Sequence, residues 1–330
     1  MFYSVIVPVY NRPDEVDELL DSLTKQTYRN FEVIIVEDGS SIPCKEITDN
    51  YVGRLDIKYF AKPNSGPGQT RNYGAERSKG DYFIILDSDC ILPIDYFAAI
   101  EEELKANPAD AFGGPDRAHD SFTPMQKAIN YAMTSFFTTG GIRGGRKKMD
   151  KFYPRSFNMG IKSSVYQQLE GFSKMRFGED IDFSIRIFKG GYACRLFPEA
   201  WVYHKRRTDL KKFFKQVHNS GIARINLYKK YPESLKTVHL LPAVFTIGVA
   251  FLLIFSFFIP TLGLSPLLLF SLVIWVDSSI KNKSIKIGAI SIIASFIQLL
   301  GYGTGFLRSF WERVIRGKDE FEAFKKNFYK

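Results

Sequence analysis

Cysteine and histidine are scarce in this chain, with three of the first and four of the second among 330 residues. Cys44, Cys90 and Cys194 are odd in number, widely separated and without metal-ligand spacing. They read as ordinary reduced thiols, which fits the cytosol. A basic n-region is also missing: Met1-Phe2-Tyr3 runs directly into the strand-like Ser4–Val9. That start predicts no secretory signal and a soluble part that stays in the cytosol. Charge is missing from three later windows, Val238–Pro260, Thr261–Val276 and Ile287–Leu307. The first and third have the ~20 residues that a helix needs to cross a bilayer core. The second reaches that length only by running past Asp277 to Ile280. With almost no polar face, the three leave no side for water, which argues against core helices of a soluble domain.

What is present divides accordingly. Residues 1–237 mix charged and apolar runs as a cytosolic globular domain does. Membrane segments follow at about 238–260, 262–280 and 285–307, and 308–330 is a basic juxtamembrane tail. The net charge of +10 gathers beside these segments. Lys205, Arg206, Arg207, Lys211, Lys212, Lys215, Arg224, Lys229, Lys230 and Lys236 precede the first, and Lys281, Lys283 and Lys286 separate the second and third. The positive-inside rule puts both groups on the cytoplasmic side, with Pro260–Pro266 as a short turn outside. Attraction to anionic lipid accounts for this charge, so no nucleic-acid partner is needed. One conflict follows. Three full crossings would place the basic tail outside, unless the third segment is re-entrant or interfacial, aided by Gly301, Gly303 and Gly305.

Within 1–237, apolar strand-like runs alternate with helical periodicity. Ser4–Val9 precedes a helix carrying Val16, Leu19, Leu20 and Leu23, then come Phe31–Val36 and Ile57–Phe60. A helix over about Thr70–Ser78 leads to Tyr82–Leu86. Such alternation predicts a largely parallel α/β sheet flanked by helices. Polar residues follow each strand: Tyr10-Asn11, Glu37-Asp38, Asn64 onward, then Asp87 and Asp89. Parallel strands end on one edge, so these segments converge on one cleft. Asp87 and Asp89 follow a buried-strand run at i, i+2 and can aim at one point. Alone they read equally as a solvated turn or as a cation site. Ser156–Ile161 resumes an apolar pattern, with a helix to Glu170. The basic stretch Gly140–Lys148 reads as a solvated connector, or else as a lid or clamp for an acidic acceptor. Glu179, Asp180 and Asp182 open an amphipathic helix, where capping and the helix dipole explain acidic residues.

The ordered set of motifs resembles family 2 glycosyltransferases of the GT-A fold. It comprises Ser4–Asn11, Gln26-Thr27-Tyr28 with Phe31–Ser40, Gly68–Ala75, Gly80–Asp89 and Phe157–Gly160. Gly171-Phe172, Gly178-Glu179-Asp180 and Gly191–His204 complete it, over about residues 3–224. The resemblance implies a Rossmann-like sheet and an inverting transfer of sugar from a nucleotide-sugar donor. By the same resemblance, Pro8, Tyr10, Asp38, Arg71, Asp87 and Ser88 bind the nucleotide sugar, with Tyr10 and Asp38 in the nucleobase pocket and Arg71 contacting base and phosphate. Asp87, Ser88 and Asp89 form the DxD motif, and Asp87, Asp89 and His204 hold Mg²⁺ or Mn²⁺. Asp180 is the general base, and Asn158 and Glu179 lie on the acceptor side. Uracil is the base this implies, with guanine and thymine open.

The chain departs from the processive members of the family, because Gln216 is followed by Val217-His218-Asn219-Ser220-Gly221 and no Gln-x-x-Arg-Trp occurs. One-sugar addition is the resulting expectation. The acceptor expected is a growing, lipid-linked cell-surface glycan, met at the cytoplasmic face of the plasma membrane. Transfer to polyprenyl phosphate is the alternative, and a catalytically silent nucleotide-sugar-binding membrane scaffold is the alternative of another class.

Overall fold

The computed structural model describes residues 1–117, 119, 122–140, 152–175, 177–205 and 209–320. Most of the basic stretch Gly140–Lys148, and the tail from 321 on, lie outside the described residues. Along the chain the first elements are β1 (Tyr3–Val9), α1 (Pro13–Thr24), β2 (Phe31–Asp38), α2 (Lys45–Asp49), β3 (Asp56–Lys62) and α3 (Pro67–Ala75). Then come β4 (Tyr82–Leu86), β5 (Cys90–Ile91), α4 (Tyr96–Ala106), β6 (Ala111–Gly113) and β7 (Asp116–Arg117). The middle holds α5 (Pro124–Thr134), α6 (Phe136–Thr139), β8 (Asn158–Lys162), α7 (Ser163–Gln168), α8 (Glu179–Lys189), β9 (Cys194–Leu196) and β10 (Val202–His204). Four long helices follow: α9 (Leu210–Lys230), α10 (Leu241–Phe255), α11 (Pro260–Asn282) and α12 (Ile285–Phe310).

Packing groups these elements into two compact units. One comprises Met1–His119 and Lys148–His204, the other Asp120–Lys147 and Lys205–Glu320. In the first, a seven-stranded sheet has the order β3-β2-β1-β4-β8-β6-β9. β1 pairs in parallel with β2 and β4, and β2 with β3. This half is the expected parallel sheet; its inner strands β1, β2 and β4 are almost wholly buried and mainly apolar, as strands covered on both faces must be, whereas the edge strand β3 is partly exposed. β8 enters antiparallel between β4 and β6, a reversal that no local pattern announces. A second sheet, β5-β10-β7, sets His204 directly opposite Cys90. The apolar core packs on both faces of the large sheet, with Val5, Val7, Leu19, Leu20 and Phe97 on one side and Ile6, Phe83, Ile85 and Phe183 on the other.

The second unit is helical. Three of its helices, Thr237–Phe255, Pro260–Asn282 and Ile285–Ile315, are long and apolar enough to cross a membrane. The expected turn at Pro260–Pro266 is corrected: Pro260 opens α11 and Pro266 lies inside it. A first-turn proline costs nothing because its missing N–H had no helical partner. The reversal falls on Ser256–Ile259 instead.

Candidate functional site

The C-terminal ends of β1, β2 and β4 share one edge because the strands run in register, Pro8 beside Val36 and Ile6 beside Ile85. Asp38 closes β2. It is buried and fully engaged: Lys62 Nζ, Asn64 Nδ2 and the backbone N–H groups of Ser65 and Gly66 all donate to its carboxylate. Lys62 also reaches Ser65 and the Thr70 hydroxyl, 2.6 and 3.3 Å away, so Asp38 shapes the turn into α3. Gly66 makes that turn at φ +88°, a backbone region that a side chain resists. Pro8 and Tyr10 are half-buried at the neighbouring end of β1.

From α3, Arg71 projects into the protein with only 3% of its surface exposed. Its guanidinium donates to Asp87 Oδ1 at 2.7 Å and to Glu179 Oε1 at 3.1 Å, and lies 5.2 Å from the Phe172 ring centroid. One cation thus joins acids 16 and 108 residues away in sequence. Glu179 is brought in by α8, whose N-cap Gly178 has φ +84°. Burial, with the charge of neighbouring Asp180, pushes the Glu179 carboxyl up to about 7.

Asp180 behaves oppositely. Burial raises its carboxyl, but Arg155, whose Nη1 donates to Oδ2 at 3.0 Å, and the Ile181 N–H outweigh that. The balance leaves Asp180 below the usual aspartate range, ionised at neutral pH. Asp182 is fully buried and receives Arg186 Nε at 3.0 Å, so an ion pair, not a cap, explains it.

On the other side of Asp87, Ser88 is buried and Asp89 meets His204 Nε2 at 3.1 Å. The β5–β10 pairing makes this contact, and the imidazole stacks on Phe157 with centroids 4.7 Å apart. Ligand atoms of Asp89, Cys90 and His204 lie within 4.8 Å of one another. A carboxylate oxygen and an imidazole nitrogen suit Mn²⁺, and the carboxylate suits Mg²⁺. Cys90 fits less well. Burial pushes its thiol well above the ordinary value and its Sγ faces the Phe157 carbonyl oxygen at 3.3 Å, so it stays protonated.

The predicted residues therefore separate. Arg71, Asp87, Glu179 and Asp180 join one network, and Asp89 joins His204 two residues beyond Asp87. Of the expected ligands Asp87, Asp89 and His204, the last two lie together, while Asp87 pairs with Arg71. Asn158 is fully buried, accepts from the Tyr96 hydroxyl at 2.6 Å and donates to the Ala200 carbonyl at 2.7 Å. Glu179 likewise turns inward to Arg71. Sequence reading missed Arg155 and Lys62, the counter-ions of Asp180 and Asp38. Neither sits in a motif, although Lys62 ends a strand run beside the turn that Asp38 organises.

The model of the family described as "Glycosyl transferase family 2" matches residues 4–169, half of the chain. The chain belongs to glycosyltransferase family 2. Asp180 and His204 lie beyond the matched span. Among family-related proteins, the chain is 26% identical over 215 residues to the uncharacterized glycosyltransferase EpsJ of Bacillus subtilis, covering 63% of this chain and 62% of EpsJ. It is 35% identical over 135 residues to an uncharacterized glycosyltransferase of Rickettsia felis, covering 41% of this chain and 22% of that one. The chain thus spans less than two thirds of either relative. Among solved structures, the mannosyltransferase PcManGT from Pyrobaculum calidifontis, in complex with GDP-Man and Mn²⁺, superposes with a TM-score of 0.65 at 16% identity. The match covers 94% of this chain and 87% of that one. It shows the same GT-A type of fold, here followed by apolar helices.

Proposed function

We propose that this family 2 chain is an active, inverting glycosyltransferase that moves one sugar from a nucleotide-sugar donor to a hydroxyl of a lipid-linked glycan. The observation that carries the reading is the pairing of Asp180 with Arg155 beside the Arg71–Asp87 pair. A general base must be ionised at working pH, and the Arg155 contact keeps Asp180 so. Asp180 would accept the proton of the acceptor hydroxyl as that oxygen attacks the anomeric carbon. The bond to the nucleoside diphosphate breaks in the same displacement, which inverts the anomeric centre. No nucleophilic carboxylate is needed.

Asp89 and His204 would hold a divalent cation, whose chemistry is to offset negative charge on the departing diphosphate. Arg71, buried between two acids, sets where Asp87 stands. Pro8, Tyr10 and the Asp38 turn lie at the strand edge suited to the nucleobase. The Mn²⁺ and GDP-Man of the archaeal neighbour lend support to a metal and a nucleotide sugar. The family resemblance favours uracil as the donor base, with guanine and thymine as alternatives. Apolar helices and clustered lysines favour an enzyme anchored in a membrane with its catalytic unit on the cytoplasmic face.

Donor turnover by purified full-length protein, with Mn²⁺ or Mg²⁺ and a lipid-linked acceptor fraction, tests the reading. Asp180→Asn should reduce kcat by about 10²–10⁴-fold with its fold intact by circular dichroism. Undiminished turnover in that variant would sink the mechanism, and donor binding without turnover in the wild type would support a silent scaffold.

A further inference from the structure

We infer that α12 does not cross the membrane. It lies in the plane of the interface, beneath the α10–α11 hairpin, with both of its ends on one side. The decisive observation is where α12 meets the hairpin. α11 runs from the reversal at Ser256–Ile259 back to Asn282, and a third span would return from Ile285 toward that reversal. Residues 303–306 would then stand beside Ser256 and Gly263, where α10 and α11 pack together. They do not. A Cβ on Gly303 would overlap the carbonyl of Pro242 and the hydroxyl of Thr246, and Phe306 packs with Ala243. These are residues of the first turns of α10.

The other end of α12 meets the last turns of α11. Gly288 sits against the Trp275 carbonyl and Ser279, and the Ser278 and Ser291 hydroxyls are 2.7 Å apart. α12 therefore links the two ends of the hairpin that lie farthest from its reversal. The contacts from 288 to 303 span roughly 22 Å of helix at 1.5 Å per residue. In between, Phe296 sits by Phe245 and Phe270, with centroids 5.9 and 5.4 Å away.

A second observation stands independently. The C-terminal half of α12 packs against α9: Val217 and Phe213 cluster with Ala294, Val217 meets Gly301, His218 meets Thr304 and Gly305, and Ile222 meets Ser309, while Asn226 reaches Arg313 just past the end of α12. α9 exposes Lys211, Lys212, Lys215, Lys229 and Lys230, and Gln216, Asn219 and Arg224 stand half-buried between them. A central Lys or Arg costs about 2.5–3.5 kcal/mol on insertion scales, so a companion of this kind does not enter the bilayer core. Burial agrees, since 39% of the apolar window of α12 is buried against 11% and 17% in the other two. The hairpin is instead bare toward its reversal, with Phe257 87%, Phe258 78% and Leu268 67% exposed.

In this arrangement Lys281, Lys283 and Lys286 stand on the same side as Arg308, Arg316 and Lys318. The clash between three crossings and the positive-inside rule disappears.

The test is labelling with a membrane-impermeant maleimide in spheroplasts and in inverted vesicles of a bacterial host. It uses full-length Lys286→Cys, Lys318→Cys and, on α9, Lys211→Cys, with the wild-type chain setting the background of native thiols. All three lysines are exposed, so the fold is not at stake. The expected result is that all three positions label in the same preparation and none labels in the other. Labelling of Lys318→Cys in the preparation opposite to Lys286→Cys would overturn the inference.

Discussion

The two units bury polar groups for different ends. In the sheet unit the buried polar groups include ionisable side chains, Asp38, Arg71, Glu179 and Asp182, each with an oppositely charging partner. In the helical unit they include small hydroxyls, Ser278, Ser291, Ser295 and Ser309, set among glycines at close helix contacts. A desolvated charge costs several kcal/mol and persists only where partners hold it. Buried serines and glycines cost little and let backbones approach. The contrast separates a unit that presents charge at a fixed place from one that packs helices tightly, three of them long and apolar enough to cross a membrane.

Breaking the charge network should give the largest effect. Arg71→Met leaves Glu179 buried without its cation and should destabilise the sheet unit by about 3 kcal/mol or more, read by chemical denaturation. Relief of that loss by adding Glu179→Gln would confirm that the stranded acid is its cause.

Next in size is an attack on the helical unit. A side chain at Gly305 meets the carbonyl of His218, so Gly305→Val should push α9 and α12 apart. The expected loss is about 1–3 kcal/mol, the usual cost of overpacking. Thermal melting in detergent should show it, while nucleotide-sugar binding stays at wild-type affinity. Lost donor binding would blur the contrast between the units.

A pH series sharpens the comparison further. The Glu179 carboxyl sits at about 7 in the folded chain against an ordinary 4.5. Between those values the folded chain holds a proton that the unfolded chain has released, so stability falls as pH rises. The contribution is complete below 4.5 and gone once pH passes through about 7. The melting temperature should therefore decline from about pH 5 to 8, and Glu179→Gln should flatten that limb. An unchanged slope in the variant would assign the effect elsewhere.

The smallest effect belongs to Cys90. Its thiol is buried and protonated, so Cys90→Ser should change the half-saturating Mn²⁺ concentration by less than about threefold, under 1 kcal/mol. Asp89→Ala and His204→Ala should raise it far more.

Much of this was legible in the sequence. The parallel half of the sheet followed from the Ser4–Val9, Phe31–Val36 and Tyr82–Leu86 runs, since buried parallel strands must be apolar on both faces. The order of motifs pointed to the family, and the strand-end acids to one edge. The antiparallel entry of β8 escaped, because pairing partners are chosen by tertiary contacts. So did Asn158, whose amide is used up by Tyr96 and Ala200, partners 62 and 42 residues away. Arg155 carries no local signature either, as its role exists only once α8 folds beside it.

By itself, the sequence determined which residues are charged, which segments avoid water and which run as strands, because those follow from side-chain chemistry and periodicity. Only tertiary structure decided how the carboxylates divide their work. Asp87 goes to Arg71, Asp89 to His204, Glu179 inward and Asp180 to Arg155. A carboxylate's protonation and partners depend on burial and on charges a few ångströms away, and sequence separation does not encode those distances. The same reason governs α12: its composition allows a crossing, and the basic helix packed along it argues for the interface.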